Sequence, residues 1–226
     1  MEQPILIAIR RAGFTPLGWF APKAEDGLPE GAAFTILIGN AGPDMFRRFA
    51  RERKSAGARL DDWTRDAAGA LAAELGAMAL FPFDRPALPF LRWARRAGAG
   101  HVSPLGLNIH PRFGLWHAFR AALIFPVAFD IPMQQAGAHP CQSCADKPCL
   151  TACPVNAFSG TSYDVAGCGQ HLQTHEGGSC MTGGCLARRA CPVGKAHTYE
   201  LQQIRFHMEA FSQARAADGQ VPPNRG

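Results

Sequence analysis

Eight cysteines lie between positions 141 and 191 of the 226-residue chain, and none lies in the first 140. The first group reads CQSCADKPCLTACPV (141–155), a C-x2-C-x4-C-x3-C-P pattern. The second reads CMTGGCLARRACPV (180–193), with Cys168 standing alone between them. Thiols crowded in this way do one of three things: pair as disulfides, hold a structural zinc ion, or hold an iron–sulfur cluster. Disulfides need an oxidising compartment. Structural zinc usually takes two separated Cys-x2-Cys pairs, and only Cys141 and Cys144 form one. Three close-set thiolates followed by a more distant one suit a cubane, in which each thiolate binds a different iron.

The pattern resembles the bacterial ferredoxin run C-x2-C-x2-C-x3-C-P, whose last cysteine serves the other of two clusters. The middle spacer is two residues longer here. CLTACPV (149–155) and CLARRACPV (185–193) share both ends, an internal repeat of one ligand turn. Crossing the ligands in the ferredoxin manner assigns Cys141, Cys144, Cys149 and Cys191 to one cluster. Cys153, Cys168, Cys180 and Cys185 then form the other, with a buried free thiol as the alternative for Cys168. Proline after Cys153 and Cys191 is expected to start a helix at its first turn. Gly177, Gly178, Gly183 and Gly184 flank Cys180 either for close backbone approach or as plain loop.

These ligands need a scaffold. The segment at 131–140 carries Pro and Gly without periodicity. It divides the chain into an α/β domain (1–135), a loop-rich cysteine domain (136–215) and a disordered tail (216–226). FTILIG (34–39) and AMALFPF (77–83) read as strands, and AFRAALIFPVAF (118–129) as a strand up to Pro126. DDWTRDAAGALAAELG (61–76) reads as a helix capped by Asp, stopped by Gly76, and buried along Trp63, Ala67, Leu71 and Leu75. PFLRWARRAG (89–98) is a second helix. Strands and helices alternate, which suggests an α/β layer. TYELQQIRFHMEAF (198–211) reads as a closing helix with Leu201, Ile204, Met208 and Phe211 against the other domain.

Composition sets limits. The chain is 47% apolar and 18% charged with net charge +5, as a globular protein is. No apolar run approaches the ~18 residues of a membrane span, so no membrane association is expected. The first residues place Arg10 and Arg11 after a short apolar run, the wrong order for a secretory signal; a cytoplasmic protein is expected. Basic clusters at 47–54 and 92–96 read as solvated helix faces or as an anion patch. No nucleic-acid motif accompanies them, so no such partner is expected.

The segment GLNIHPRFGLWHAFRAALIF (106–125), followed by this cysteine pattern, resembles the cobalamin-dependent iron–sulfur reductases. These include epoxyqueuosine reductase and the reductive dehalogenases. HPRFGLWHAFRAAL is also similar to CblC-type cobalamin chaperones. The resemblance covers roughly 88–193. It implies an α+β protein: a nitroreductase-like α/β domain, short for a complete cobalamin domain, followed by a ferredoxin-like module with two [4Fe–4S] clusters. The implied activity is single-electron transfer from a donor such as a flavodoxin or ferredoxin to a corrinoid or other acceptor. A non-enzymatic electron carrier and a cobalamin-handling chaperone are the alternatives. His110 could contact a corrinoid or lock its own loop. Arg112 could meet a phosphate or propionamide, and Phe113 and Trp116 could floor a flat ring or pack in the core. The family's acidic proton donor has only Asp84 and Asp130 as candidates. His171 and His175, four apart, could share a metal.

Overall fold

The computed structural model describes residues 3–55, 57–134 and 137–220. In chain order it contains α1 (Pro4–Arg11), β1 (Thr15–Phe20), β2 (Phe34–Ala41), α2 (Asp44–Glu52), α3 (Leu60–Leu75), β3 (Met78–Leu80), α4 (Phe90–Arg96), β4 (His101–Val102), β5 (Asn108–Ile109) and β6 (His117–Phe125). Short helices follow: α5 (Pro148–Thr151), α6 (Val165–Leu172), α7 (Gly178–Gly183) and α8 (Leu186–Ala190), then the longer α9 (Leu201–Gln220).

The chain forms two compact units. One comprises 1–101 with 116–138, the other 102–115 with 139–226. The boundary expected at 135/136 falls on residues outside the described set, and the units change at 138/139. More important, the stretch 102–115 belongs with the cysteines. A single linear cut could not express that exchange.

The first unit is built on a four-stranded sheet in the order β1-β2-β6-β3. Every pairing is antiparallel, so the class is α+β and not a parallel α/β layer. The central strand β2 is buried almost throughout, because helices cover both faces. Leu37 packs with Phe20, Phe90, Trp93, Ala97 and Ala122, and the alternation of side chains sends Ile36 and Ile38 to the opposite face. The Trp93 indole donates to the Asp26 carbonyl at 2.9 Å, and Arg96 meets the buried Asp26 carboxylate at 3.3 Å, which ties α4 down.

Helix α3 ends where Gly76 turns left-handed, as expected, but its start differs. Arg59 occupies the N-cap without a side-chain bond, and Asp61 and Asp62 lie in the first turn, where acidic side chains complement the helix dipole. The buried positions are Leu60, Thr64, Ala68, Leu71 and Ala72. Only Leu71 of the expected stripe is among them. The basic cluster at 47–54 is a solvated helix face in which Arg47 pairs with Asp44 and Arg48 with Glu52.

In the second unit α5 packs on α8, and α6, α7 and α9 pack together. The repeated turns are thus structural partners. The closing helix lies on α6 and α7 of its own unit, with Gln203 and Ile204 buried and Leu201 exposed. The tail expected to be disordered from 216 is helical to Gln220; 221–226 lies outside the described residues. Among the described residues no helix is long and apolar enough to cross a membrane.

Candidate metal centre

The second unit has an apolar nucleus of Leu105, Ile109, Leu115, Ala157, Phe158 and Ala187, and the cysteines are part of it. Cys149 and Cys191 are buried within it, and Cys141, Cys153, Cys168 and Cys185 pack against it. Half of those six residues, Leu105, Ile109 and Leu115, come from the 102–115 stretch. This supplies the apolar mass that the sequence from 139 onward lacks by itself.

Two sets of thiols emerge from their mutual electrostatics. Burial pushes the Cys141 thiol up, and Cys191, Cys149 and Cys144 push it further. Burial and then Cys191 raise Cys149, with Cys144 adding to them and backbone N–H groups of Cys149 and Leu150 offsetting part. In the other set, burial raises Cys168, the Tyr163 hydroxyl opposes it, and Cys153 and Cys180 add repulsion. Burial also raises Cys185, backbone N–H groups of Arg188 and Ala187 offset it, and Cys168 and Cys153 repel it. The cysteines that act on Cys141 and Cys149 are thus Cys144, Cys149 and Cys191, and those that act on Cys168 and Cys185 are Cys153, Cys168 and Cys180. Cys149 and Cys153, close in sequence, fall in different sets.

All eight cysteines are free thiols. Among the described residues no three Cys, His, Asp or Glu side chains converge as one metal ion requires. A tetrahedral zinc ion needs that convergence, whereas cubane ligands bind separate irons and stand wider apart. Burial and mutual repulsion disfavour the thiolate form of these groups, and coordination to a cationic centre offsets both. Eight thiols, half of them pushed towards the neutral form by burial and by one another, are a donor set that suits iron–sulfur ligation.

The flanking elements differ from expectation in one respect. No helix starts at Pro154 or Pro192; both enter turns, and α5 and α8 lie between the cysteines instead. Pro148 is the proline at a helix N1 position. Of the glycines around Cys180, Gly177 and Gly184 are close-approach positions: a Cβ would strike the His171 carbonyl at the first and Ile204 at the second. Gly178 faces open space.

His110, Arg112 and Phe113 form one tight turn of the second unit, and Trp116 belongs to the first. His110 Nδ1 accepts the backbone N–H of Arg112 at 3.0 Å and of Phe113 at 3.3 Å. Its ring stacks on Phe113 at 4.4 Å. Burial, then Arg112 and His197, lower its pKa to about 4, so it stays neutral and keeps Nδ1 as an acceptor. Phe113 and Trp116 are buried, and the Arg112 guanidinium lies 5.4 Å from the Phe113 ring centre. These contacts serve loop locking and packing. Asp84 accepts from Arg65 at 2.8 Å and from Phe81 N at 2.9 Å, while Asp130 is exposed. His171 lies in α6 and His175 beyond its end, so the pair does not share a helical turn.

Three residues had no sequence signal strong enough to single them out. Arg188 donates Nε to the Leu115 carbonyl at 3.0 Å, with Nη2 on the same oxygen, and lies 4.6 Å over Tyr199. In the loop before α6, Phe158 and Tyr163 stack with ring centroids 4.5 Å apart.

No family model matches the sequence, and no curated protein matches it at the level of sequence. Solved structures do. Epoxyqueuosine reductase from Streptococcus thermophilus superposes with a TM-score of 0.53 at 16% identity, covering 87% of this chain and 67% of that one. Epoxyqueuosine reductase with an epoxyqueuosine-modified tRNA-Tyr stem loop gives 0.50 at 17% identity, covering 86% and 66%. The chain spans about two thirds of the length of these proteins. It shares their mixed α and β fold, with the cysteine-rich region in its C-terminal part.

Proposed function

We propose that the chain is an iron–sulfur oxidoreductase whose second unit holds two [4Fe–4S] clusters. Cys141, Cys144, Cys149 and Cys191 would bind the first, and Cys153, Cys168, Cys180 and Cys185 the second. One observation supports the reading: Cys144 and Cys191 act on Cys149, and both of them with Cys149 on Cys141, whereas Cys153 acts on Cys168 and Cys185, so that cysteines from both copies of the repeated turn meet in each group. Bound clusters of this kind supply single-electron transfer at potentials set by their surroundings.

The chain's own groups do the holding and tuning. The apolar nucleus around Leu105, Ile109 and Phe158 excludes water from one side of the thiols. The Ala157 N–H donates to Cys153 Sγ at 3.4 Å, and the Arg188 fork fixes the Leu115 carbonyl against α8. In this reading a reduced flavodoxin or ferredoxin supplies the electrons. The acceptor sits in the first unit, a nitroreductase-like domain, and a corrinoid is the acceptor class that the resemblance implies. The fold likeness to epoxyqueuosine reductase supports a reductase of this kind.

A second reading is favoured by a specific observation. Of the four residues offered for a corrinoid, Phe113 and Trp116 are buried and His110 accepts two backbone N–H groups. A non-enzymatic electron carrier needs no flat-ring site. The deciding experiment is anaerobic purification, an iron and sulfide count, then titration with hydroxocobalamin followed in the visible spectrum. About eight irons, from two cubanes, with stoichiometric corrinoid binding supports the reductase. About eight irons with no spectral response supports the carrier, and an iron-free protein that stays so on reconstitution refutes both.

A further inference from the structure

Gln203 is fully buried with its carboxamide unbonded. Its exposure is 0%, and neither Nε2 nor Oε1 has a hydrogen-bond partner, sulfur included, among the described residues. A carboxamide taken out of water without partners is costly, and its place in the chain offers a local one. Glu200 stands at the N-cap of α9, where its carbonyl accepts from Ile204 N at 2.9 Å. Gln203 is then the third helical residue, from which a glutamine can reach back to the N-cap N–H. It makes no such bond and is turned inward. Its neighbours fix what it is turned towards. A Cβ on Gly184 would come within 2.9 Å of Ile204 Cγ2. Tyr199 carries the Arg188 guanidinium 4.6 Å over its ring. Both Ile204 and Tyr199 are buried. They hold the start of α9 against the stretch 184–188, which contains Cys185. Gly184 N–H donates to the Cys180 carbonyl at 2.9 Å, and α7, which contains Cys180, packs along α9. Two of the four cysteines assigned to the second cluster thus lie in the segments against which Gln203 is held.

We propose that Gln203 is a side-chain hydrogen-bond donor to the second cluster: its Nε2–H meets a sulfide of the inorganic core and raises that cluster's reduction potential. The inference rests on the two-cluster reading. No cysteine Sγ accepts this N–H among the described residues, so the acceptor belongs to the core and not to a ligand. The physical basis is charge. One electron from a one-electron donor, such as a reduced flavodoxin or ferredoxin, leaves the donor oxidised by one and the cluster more negative by one. No covalent bond forms or breaks, and no proton moves, because a carboxamide does not titrate. A hydrogen bond to a sulfur that has gained negative charge is stronger, so it stabilises the reduced state over the oxidised one. Hydrogen bonds to cluster sulfurs set potentials in this way. The Ala157 N–H on Cys153 Sγ stays in place in any side-chain variant, whereas the Gln203 donor can be removed.

The test is a redox titration, followed by electron paramagnetic resonance, of wild-type and Gln203→Met protein reconstituted without oxygen. Methionine keeps the length of the side chain and removes both polar atoms. Iron and sulfide should match. One of the two clusters should become roughly tenfold harder to reduce, about 59 mV for a one-electron couple, and the other should not move. A glutamine that only fills space would leave both potentials where they are. Where Gln203→Met fails to load its second cluster, the wild type is labelled with nitrogen-15 at the glutamine side-chain amides and reduced. Pulsed resonance should then show a nitrogen coupling on one cluster. Full iron with both potentials unmoved, or both moved together, overturns the role of Gln203, as does a labelled protein with no such coupling on either cluster. Fewer than two clusters in the wild type overturns the two-cluster reading itself, and the iron count separates the two failures.

Discussion

Gly114 and Gly194 interlock. A Cβ on Gly114 would run into the Val193 carbonyl, and one on Gly194 into the Phe113 carbonyl. Both have positive φ, +58° and +73°, where an L side chain is strained in addition. The His110 turn thereby lies backbone to backbone against the turn that follows Cys191. This contact brings the 102–115 stretch to the cysteines.

Gly114→Ala and Gly194→Ala should each destabilise the protein by about 2–4 kcal/mol, from overpacking plus backbone strain. Gly178→Ala is the control, because its Cβ meets nothing and a helix gains from alanine. Denaturant unfolding with an iron count reads both effects. Iron should fall in the first two variants and hold in the third.

His110 makes stability depend on pH. Its folded pKa, about 4, lies below the ordinary 6.5. The unfolded chain therefore takes up the proton first as pH falls. Its contribution is complete above pH 6.5 and is lost as pH drops towards 4. With allowance for solvent around a part-buried ring, it amounts to roughly 2 kcal/mol. His110→Asn keeps an acceptor near the Nδ1 position without titrating in this range. Unfolding free energies between pH 7 and 4 should fall less steeply for that variant than for the wild type. His110→Ala, which leaves the Arg112 and Phe113 N–H groups unserved, should already be weaker at pH 7.

Arg188→Lys tests the fork on Leu115. Lysine keeps the charge but loses the paired N–H geometry and the planar face over Tyr199. A loss of about 1–2 kcal/mol is expected, measured by denaturant unfolding. An unchanged midpoint would mean that solvent serves the Leu115 carbonyl equally well.

Local pattern carried much of this into the sequence, and where chemistry depends on distant partners it did not. The cysteine spacing is legible because Cys141, Cys144 and Cys149 are close in sequence and the Cys-Pro turn recurs at Cys191. Strands β2 and β6 are legible as apolar runs because they are buried in the sheet. Strand β1 is hidden by Pro16 and by Gly18, where its register shifts. Helix α3 is found but mis-phased, since Thr64 is buried and polar residues rarely announce a core face. The same holds for Gln203 in α9, buried while Leu201 is exposed. The exchange of 102–115 between units is a tertiary event with no local signature. Tyr163 is one aromatic in a loop, and only the fold stacks it on Phe158.

The central claim is that two clusters share ligands across the repeat, and paired cysteine replacements test it most directly. Cys149 and Cys191 are distant in sequence but assigned to one cluster; Cys149 and Cys153 are neighbours assigned to different ones. Iron and acid-labile sulfide should be counted in Cys149→Ala/Cys191→Ala and in Cys149→Ala/Cys153→Ala. The account expects the first double variant to keep about four irons of about eight, and the second to lose nearly all. The reverse outcome, with neighbours costing one cluster and the distant pair costing both, would contradict the crossed assignment.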